Sequence, residues 1–376
     1  MIFKVKTKGQ IEGENLLVPR LRFKEFNKQW NKYKLEELVI FLDGQRKPIK
    51  DADRNKFRGV YPYYGASGII DYVKDYIFDK DTILLGEDGA NILTRSTRLA
   101  FIASGKYWVN NHAHVLEPKN TNIYFLCELL ESLNYEQYNT GTAQPKLNQE
   151  VCKNIELTVP DIVEQSKIGN FLSLLNKKIE LQKQKIEALK IYKKGLMNLL
   201  LNNSSNTYVV CLKNICTIRK GQQLNKENMS LSGNYYVLNG GSELSGYTND
   251  FNVQENTISI SEGGNSCGFV NFNFEKFWAG GHCYILDNIS QDINIYYLYH
   301  LLKYNQEKIM NLRVGSGLPN IQKKSLENFE LFIDDPKTQH YIYKILNSLD
   351  CKIDLEINKF ESLNLLKKSL LQQMFI

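Results

Sequence analysis

The side chains that could do chemistry are few, and two of them recur at matching places in the chain. His112 and His282 each follow a tryptophan by four residues, within KYWVNNHAHVL (106–116) and KFWAGGHCYIL (276–286). A metal site needs several convergent ligands, and no convergent partner recurs beside these histidines. We therefore predict no metal centre, and we favour a structural imidazole packed against the tryptophan ring over one that contacts a nucleic acid.

Other catalytic motifs are missing from the sequence. It has no GxxxxGK[ST] phosphate loop, and none of its eight prolines adjoins another, so the Asn-Pro-Pro-aromatic turn of adenine methyltransferases is absent. GEDGAN and SEGGNS have the wrong spacing for a dinucleotide fingerprint, which favours turns between strands. PDIVEQSK (160–167) and DDPK (334–337) faintly resemble pieces of a nuclease but lack its paired acidic and lysine residues. The sequence thus predicts a protein that is not an enzyme.

Length and composition indicate a soluble chain of two or three domains, since 376 residues exceed one compact core. No apolar run approaches the roughly 18–20 residues that span a bilayer, and the N-terminus lacks the features of a secretory signal. We therefore expect a cytoplasmic protein. The seven cysteines form no CxxC pair, which argues against a zinc site or a disulfide framework. The net charge of +6 permits a polyanionic partner without proving one.

The chain contains an internal repeat. Matching blocks occur in the same order in both halves: 64–72 with 239–247, 82–89 with 257–264, 106–116 with 276–286, 122–126 with 294–298, and GTAQPKLNQ (141–149) with GSGLPNIQK (315–323). The offset drifts in the earlier blocks, where loops absorb insertions. It is constant from Pro145 and Pro319 onward, where one inserted residue would rotate a helix face by about 100°. We infer two copies of one unit, each a variable globular part followed by a helix of fixed length.

The globular parts predict short strands, and the last segments predict long helices. TILLG, RLAFIAS, HAHVLE and their partners TISIS, GFVNFNF and HCYILD are typical of strands, and the stretches 122–133 and 294–305 have helical spacing. Each terminal segment carries an apolar heptad seam. The predicted seam residues are Ile168, Leu172, Leu175, Ile179, Ile186, Leu189, Leu196, Ile342, Leu346, Leu349, Ile353, Phe360, Leu363 and Leu370.

These patterns predict an α+β fold with two domains related by a pseudo-two-fold axis and joined by an antiparallel two-helix coiled coil. Neither apolar stripe can be left in water, and each has an equal partner in the same chain. Polar residues interrupt both seams at matching places, Gln182 with Glu356 and Lys193 with Lys367. The predicted boundaries are an N-terminal segment 1–32, globular domains 33–163 and 208–337, helices 164–201 and 338–376, and a linker 202–207.

The ordered set of motifs resembles a known family. VPRLRFKEFNKQW (18–30), KLEEL…GQRKPI (34–49), GTAQPKLNQ and the two leucine-lined helices together look like the specificity subunit of type I restriction–modification systems. The resemblance covers almost the whole chain. It implies a non-catalytic subunit whose two target-recognition domains each read one half of a split, asymmetric DNA target, with the helices fixing the gap.

The resemblance also implies partners and cofactors. Two methyltransferase subunits would dock on the chain and methylate adenine with S-adenosylmethionine, and two ATP-driven restriction subunits could join them. S-adenosylmethionine, ATP and Mg²⁺ are therefore expected on the partners and not on this chain. A duplicated protein-binding scaffold with a coiled-coil spacer and no DNA role is the alternative, and salt-dependent binding to DNA would separate the two.

Long polar side chains on loops are the candidate base readers, because Arg and Lys suit guanine edges or phosphates whereas Gln and Asn suit adenine. The predicted DNA-binding residues are Arg46, Lys47, Arg95, Arg98, Gln144, Lys146, Arg219, Lys220, Gln222, Asn239, Arg313, Asn320 and Lys323. The predicted methyltransferase-binding residues are Lys177, Lys178, Lys185, Lys193, Lys194, Lys352, Lys359, Lys367 and Lys368. A solvated surface charge is the alternative interpretation for any one of these residues.

Overall fold

The computed structural model describes residues 3–5, 17–202, 207–315, 317 and 319–376. Its contacts divide the chain into unit 1, Met1–Lys183 with Lys359–Ile376, and unit 2, Gln184–Asn358. Each unit has its own hydrophobic core. Most of the predicted linker and part of the predicted N-terminal segment lie outside the described residues.

Unit 1 contains two four-stranded sheets and two strand pairs. Its strands are β1 (Phe3–Val5), β2 (Leu21–Phe23), β3 (Asn31–Lys34), β4 (Val39–Phe41), β5 (Arg58–Gly65), β6 (Gly68–Val73), β7 (Phe78–Asp79), β8 (Thr82–Gly86), β9 (Ala100–Ala103), β10 (Lys106–Val109), β11 (Ala113–Pro118) and β12 (Glu156–Val159). The sheet orders are β4-β11-β8-β9 and β6-β5-β10-β7, and the pairs are β1-β2 and β12-β3. Only β5 and β10 run parallel among these described strands.

The helices that begin in unit 1 are α1 (Leu35–Leu38), α2 (Asp51–Arg54), α3 (Asn91–Thr94), α4 (Ile123–Ser132), α5 (Gln149–Lys153) and α6 (Ile162–Asn202). The predicted strand TILLG coincides with β8, and all five of its residues are buried because the strand lies inside its sheet. The predicted short helix is confirmed as α4. Its first turn is capped by Asn122, whose Oδ1 accepts from Phe125 N at 3.0 Å.

Unit 2 is built in the same way. Its strands are β13 (Thr207–Cys211), β14 (Thr217–Lys220), β15 (Tyr235–Leu238), β16 (Gly246–Thr248), β17 (Thr257–Ser261), β18 (Val270–Asn273), β19 (Trp278–Ala279), β20 (Cys283–Asp287), β21 (Arg313–Val314), β22 (Asn320–Ile321) and β23 (Glu330–Asp334), and its helices are α7 (Ile295–Tyr304), α8 (Gln306–Met310), α9 (Lys323–Glu327) and α10 (Pro336–Met374). The sheet β14-β20-β17-β18 repeats the order of its unit 1 counterpart, and the three-stranded sheet β16-β15-β19 repeats the order β6-β5-β10 with the same parallel pair but without a strand equivalent to β7.

A buried glutamine repeats the same contact in both units. Gln165 Oε1 accepts from Asn122 N at 3.0 Å in unit 1, and Gln339 Oε1 accepts from Asn294 N at 2.9 Å in unit 2. Both side chains lie in the first turn of a long helix, α6 or α10. Each connects its long helix to the N-cap residue of a shorter helix, α4 or α7. The duplication inferred from sequence is therefore a duplication of three-dimensional structure.

The two long helices run antiparallel, as predicted. In unit 2, Lys185 Nζ lies 2.8 Å from Glu356 Oε1, and Lys193 bonds Asp350 further along. Residue numbers thus rise on α6 while they fall on α10. Every predicted seam residue is buried or half-buried. The contacts divide α6 after Lys183 and α10 after Asn358, whereas the sequence assigned each helix to a domain of its own.

The VPRLRF motif anchors the N-terminal part of unit 1. Arg22 forms two 2.6 Å bonds to Glu164, and a third bond reaches Lys28 O. Arg22 and Glu164 are 4% and 1% exposed, so each charge depends on the other.

Among the described residues, none of the helices combines the length and apolar character needed to cross a bilayer.

Candidate nucleic-acid interface

Unit 1 holds a compact group of charged side chains, here named the Glu87 cluster: Asp43, Arg46, Glu87, His114 and Lys146. Arg46 Nη1 donates to Glu87 Oε2 at 2.6 Å, and Lys146 Nζ lies 3.4 Å from Glu87 Oε1. His114 Nδ1 lies 2.6 Å from Asp43 Oδ2. Two residues predicted to bind DNA, one from the GQRKPI segment and one from GTAQPKLNQ, thus meet at one carboxylate.

His114 is an imidazolium in this cluster. Its Nε2 lies 2.8 Å from Leu147 O, a carbonyl that can only accept, while Nδ1 faces the Asp43 carboxylate. Burial by itself would lower the pKa of His114, but the hydrogen bonds to Asp43 and Cys152 outweigh it and raise the pKa to about 10. The same contact holds the pKa of Asp43 below its ordinary value in spite of burial.

The ligand atoms of Asp43, Glu87 and His114 lie within 4.8 Å of one another, as metal ligands can. Both ring nitrogens of His114 already face oxygen atoms, Nδ1 the Asp43 carboxylate and Nε2 the carbonyl of Leu147, which argues against a metal because a ligating nitrogen needs a free lone pair. Arg46 and Lys146 also place two positive charges on Glu87. We therefore interpret the group as an ion-pair network.

The cluster fixes the GTAQPKLNQ loop to the body of unit 1. Leu147 N donates to Glu87 O at 2.7 Å, Gly89 N donates to Pro145 O at 3.0 Å, and His114 holds Leu147 O. All these contacts reach backbone atoms of the loop. The side chain of Gln144 stays exposed and that of Lys146 is 47% exposed, so the loop is rigid while its polar side chains face solvent.

Unit 2 pins its GSGLPNIQK loop through the same backbone positions. Ile321 N donates to Glu262 O at 2.8 Å, Gly264 N donates to Pro319 O at 3.0 Å, and Tyr284 Oη lies 3.0 Å from Ile321 O. Tyr284 occupies the repeat position of His114. Lys220 Nζ bonds Glu262 Oε1 at 2.7 Å. Lys220 occupies the repeat position of Asp43 in unit 1. Ser316 and Leu318 of this loop lie outside the described residues.

Beside this loop lies an open cleft of about 650 Å³, here named the Glu262 cleft. It is lined by Lys220, Asn239, Glu262, His282 and Asn320, together with glycine-rich backbone. Three of these five residues are among those predicted to bind DNA, and they come from separate segments of the sequence. The structure therefore brings Lys220, Asn239 and Asn320 together at one surface.

The other predicted DNA-binding residues are placed apart from these groups. Arg95 and Arg98 bond Glu131 and Glu128, respectively, and Arg219 bonds Asp287. Lys47, Gln222, Arg313 and Lys323 are exposed. A DNA role for any of these residues stays a prediction, and the three internal ion pairs give Arg95, Arg98 and Arg219 a structural role as well.

The histidines that recur in sequence contact carboxylates. His112 Nδ1 lies 2.8 Å from Asp88 Oδ2, and His282 Nδ1 lies 3.4 Å from Glu262 Oε2. Both side chains are about half exposed or more. The interpretation of a structural imidazole packed on the tryptophan ring is therefore wrong for both residues. The indole nitrogens instead donate to loop carbonyls, Trp108 to Lys47 O and Trp278 to Gln222 O.

The lysines of the long helices fall into two groups. Lys177, Lys178, Lys185, Lys194, Lys352, Lys359 and Lys368 are exposed. Lys193 and Lys367 are half-buried and form ion pairs within their own units, Lys193 with Asp350 and Lys367 with Glu128, the latter at 2.9 Å. These two lysines interrupt the seam because they pair with the half-buried Asp350 and the buried Glu128, which makes them poor candidates for partner contacts.

Sequence patterns missed a set of exposed apolar residues on the same helices. Leu181 and Leu355 are 55% and 53% exposed, and Ile191 and Leu365 are 72% and 69% exposed. The two members of each pair occupy the same repeat position. These positions are kept apolar in both copies although they lie outside the seam. These residues could have been found in the sequence by applying the repeat offset to the positions between the seam residues and asking which are apolar in both copies.

Two copies of one α+β module, each with a backbone-pinned polar loop beside a long helix, define a duplicated recognition protein. The chain belongs to the family of the type I restriction modification DNA specificity domain, whose model matches residues 27–190 and 205–365. The two matches correspond to the two halves of the repeat. This membership confirms the resemblance seen in the sequence.

Relatives and solved structures agree with the family. The chain is 27% identical over 347 residues to a type I restriction enzyme specificity subunit of Haemophilus influenzae, covering 84% of this chain and 86% of the relative. It is 34% identical over 170 residues to a type I specificity subunit of Mycoplasma genitalium, covering 43% and 44%. Its fold is similar to the crystal structure of a type I S subunit from M. genitalium, with a TM-score of 0.72, 19% identity and coverage of 96% and 99%.

Proposed function

We propose that this chain reads a two-part DNA target for a type I restriction–modification complex, one half with each unit. The observation that carries the proposal is that a DNA specificity domain matches the chain twice, at residues 27–190 and 205–365. Two matched frameworks with different polar side chains suit a target whose halves differ in sequence. The alternative of a protein-binding scaffold without a DNA role is not favoured, because it leaves this double match unexplained.

The pinned loops supply the reading surfaces in this proposal. Gln144 and Lys146 in unit 1, and Asn320 in unit 2, stand on loops whose backbones are already held by hydrogen bonds. A preorganised loop loses less conformational entropy on binding than a mobile one. Amide side chains of this kind pair with adenine edges, whereas lysine serves guanine or phosphate. Phosphate contacts set the affinity and base contacts set the sequence.

The long helices supply the partner surface and the spacer. We infer that the repeated apolar positions at Leu181, Leu355, Ile191 and Leu365 bind methyltransferase subunits, with the exposed lysines at the rim. Repetition of the surface accounts for two such subunits on one chain. Restriction subunits, S-adenosylmethionine, ATP and Mg²⁺ belong to the partners in this scheme, and the length of the helices sets the number of unread base pairs. A solved structure similar in fold at a TM-score of 0.53 is titled for type I complex assembly.

Methylation mapping tests the proposal directly. The chain is expressed with a cognate type I methyltransferase subunit in a host free of adenine methylation, and modified adenines are located by sequencing. We expect a split motif with modified adenines on opposite strands. Exchange of residues 33–160 for the corresponding part of another family member should change one half of the motif and leave the other. A change in both halves, or no methylated motif, would refute the modular reading.

A control measurement separates specific reading from general charge attraction. Binding of the purified complex to target and scrambled duplexes is compared over a range of salt concentrations. Both affinities should fall with salt because phosphate contacts release counterions. Their ratio should stay well above one at every salt concentration.

A further inference from the structure

The Glu262 cleft contains a buried carboxylate oxygen that has no partner. Glu262 is 9% exposed, and its Oε1 accepts from Lys220 Nζ at 2.7 Å. Its Oε2 has no hydrogen-bond partner among the described residues, and His282 Nδ1 lies 3.4 Å away. Buried polar atoms are almost always paired. Glu262 lines the open cleft, so a buried unpaired oxygen of its carboxylate indicates a donor that arrives there when a ligand enters.

The equivalent carboxylate in unit 1 has a different set of partners. Glu87 Oε2 accepts from Arg46 at 2.6 Å, and Glu87 Oε1 faces Lys146 at 3.4 Å. In unit 2 the repeat position of Lys146 is occupied by Asn320, whose Oδ1 accepts from Gln322. The lysine has therefore been lost while the acid has been kept, and the group that faces Glu262 Oε2 at 3.4 Å is the imidazole of His282. The framework of the loop does not require the free oxygen, because unit 1 builds the same framework without one.

Asn239, which lines the cleft, packs against a glycine that replaces asparagine. KYWVNNH in unit 1 reads KFWAGGH in unit 2, so Asn110 corresponds to Gly280. A Cβ on Gly280 would lie 2.3 Å from Asn239 Oδ1. A larger residue at position 280 would therefore displace the side chain of Asn239. Asn239 Oδ1 is a second buried oxygen without a hydrogen-bond partner in the described part of the chain.

We infer that Glu262 Oε2 is a base-reading atom that accepts a hydrogen from the exocyclic amino group of one base, N4 of cytosine or N6 of adenine, in the half-site read by unit 2. This inference rests on the proposed function. An ionised carboxylate can only accept, and in the major groove cytosine and adenine offer an amino donor whereas guanine and thymine present acceptors. The ion pair with Lys220 holds the carboxylate in place.

Duplexes with single amino groups removed test this inference. Once methylation mapping has given the target, the wild-type complex is titrated with duplexes in which one cytosine N4 or adenine N6 amino group of the second half-site is replaced by hydrogen. One position should lose about tenfold in affinity through Glu262, since a specific base contact of this kind contributes roughly 1 kcal/mol or more. The remaining positions identify contacts made by other residues.

The variant Glu262→Gln is then titrated with the same set of duplexes. Lys220 continues to hold the amide oxygen, so the amide NH₂ replaces the free acceptor in the cleft. The tenfold penalty at that one position should disappear, and the preferred base there should shift towards guanine or thymine. Glu275→Gln, an exposed carboxylate of the same unit, is the matched control and should keep the wild-type preference at every position.

Several outcomes would overturn the assignment. A wild-type complex that tolerates removal of every amino group in the second half-site contradicts it, even if the variant does not fold. A Glu262→Gln protein that binds all duplexes more weakly by the same factor shows that Glu262 only positions Lys220 and the loop. If the wild-type complex shows no preference for the mapped target at all, the proposed function itself has failed.

Discussion

The substitution Asp43→Asn should change the pH dependence of stability, because it removes the partner that keeps His114 protonated. His114 is 1% exposed, and its pKa is raised from 6.5 to about 10 in the folded chain. A raised pKa stabilises the folded state fully below pH 6.5, and this contribution is lost as pH rises through about 10. The lowered pKa of Asp43 stabilises the folded state above its ordinary value of 3.8 and is lost only in acid, so it adds no pH dependence above neutrality.

The size of the effect follows from proton linkage. Between pH 7.5 and 9.5 the folded state holds about one more proton than the unfolded state, so stability falls by roughly 1.4 kcal/mol per pH unit. The wild-type chain should lose about 2–3 kcal/mol across this interval through His114. In Asp43→Asn the histidine is neutral over the same range, and this loss should vanish. At pH 7 the variant should be less stable by about 3–5 kcal/mol, the cost of breaking a buried pair.

Urea unfolding monitored by tryptophan fluorescence provides the assay. Trp30 and Trp108 lie in unit 1 and Trp278 lies in unit 2, so a Trp278→Phe background reports on unit 1. The wild-type and Asp43→Asn stabilities should converge as pH approaches 10. Asp88→Asn is the matched control, because its partner His112 is half exposed and solvent screens the pair. Parallel pH profiles for wild type and Asp43→Asn would refute the imidazolium and the ion-pair account of the cluster.

Two further predictions concern the anchor of the N-terminal segment and the helix surface. Arg22→Met should destabilise unit 1 by about 3–5 kcal/mol, since Glu164 would stay buried without its partner; the double variant with Glu164→Leu should recover most of this loss in urea unfolding, and no recovery would mean that the pair is not the cause. Leu181→Asp combined with Leu355→Asp should leave stability within about 1 kcal/mol, because both positions are exposed, yet weaken methyltransferase binding at least about tenfold. Asn198→Asp on an exposed polar position is the control for added charge, and unchanged binding by the double variant in calorimetry would contradict the assigned surface.

Periodic features of the fold could be predicted from the sequence. Strands such as TILLG and the heptads of α6 and α10 repeat an apolar pattern that only one type of element can bury. The repeat added a second, independent copy of each pattern, which fixed the order of the elements. The polar interruptions were visible as well, but their partners Asp350 and Glu128 lie on other elements, so the sequence could not show that Lys193 and Lys367 are internal.

Features that depend on tertiary contact could not be predicted. The Glu87 cluster joins residues 43, 87 and 114, which no spacing rule connects. His112 and His282 were assigned to the tryptophan rings because those are their neighbours in sequence, whereas the folded chain places carboxylates closer. Three of the predicted DNA-binding residues of unit 2 do meet at one cleft. The unpaired oxygen of Glu262 depends on where Lys220 and His282 lie in the folded chain, which no sequence pattern shows.

The hydrogen bonds that hold the two loops affect how the DNA specificity of a protein of this kind can evolve. Both loops are held by hydrogen bonds to their backbone atoms. These atoms are the carbonyl oxygens of Pro145 and Pro319 and the amide nitrogens and carbonyl oxygens of Leu147 and Ile321. The exposed side chain of Gln144 makes none of these contacts. Under the proposed function, a substitution at such a position would alter which sequence is chosen while the loop backbone keeps its shape.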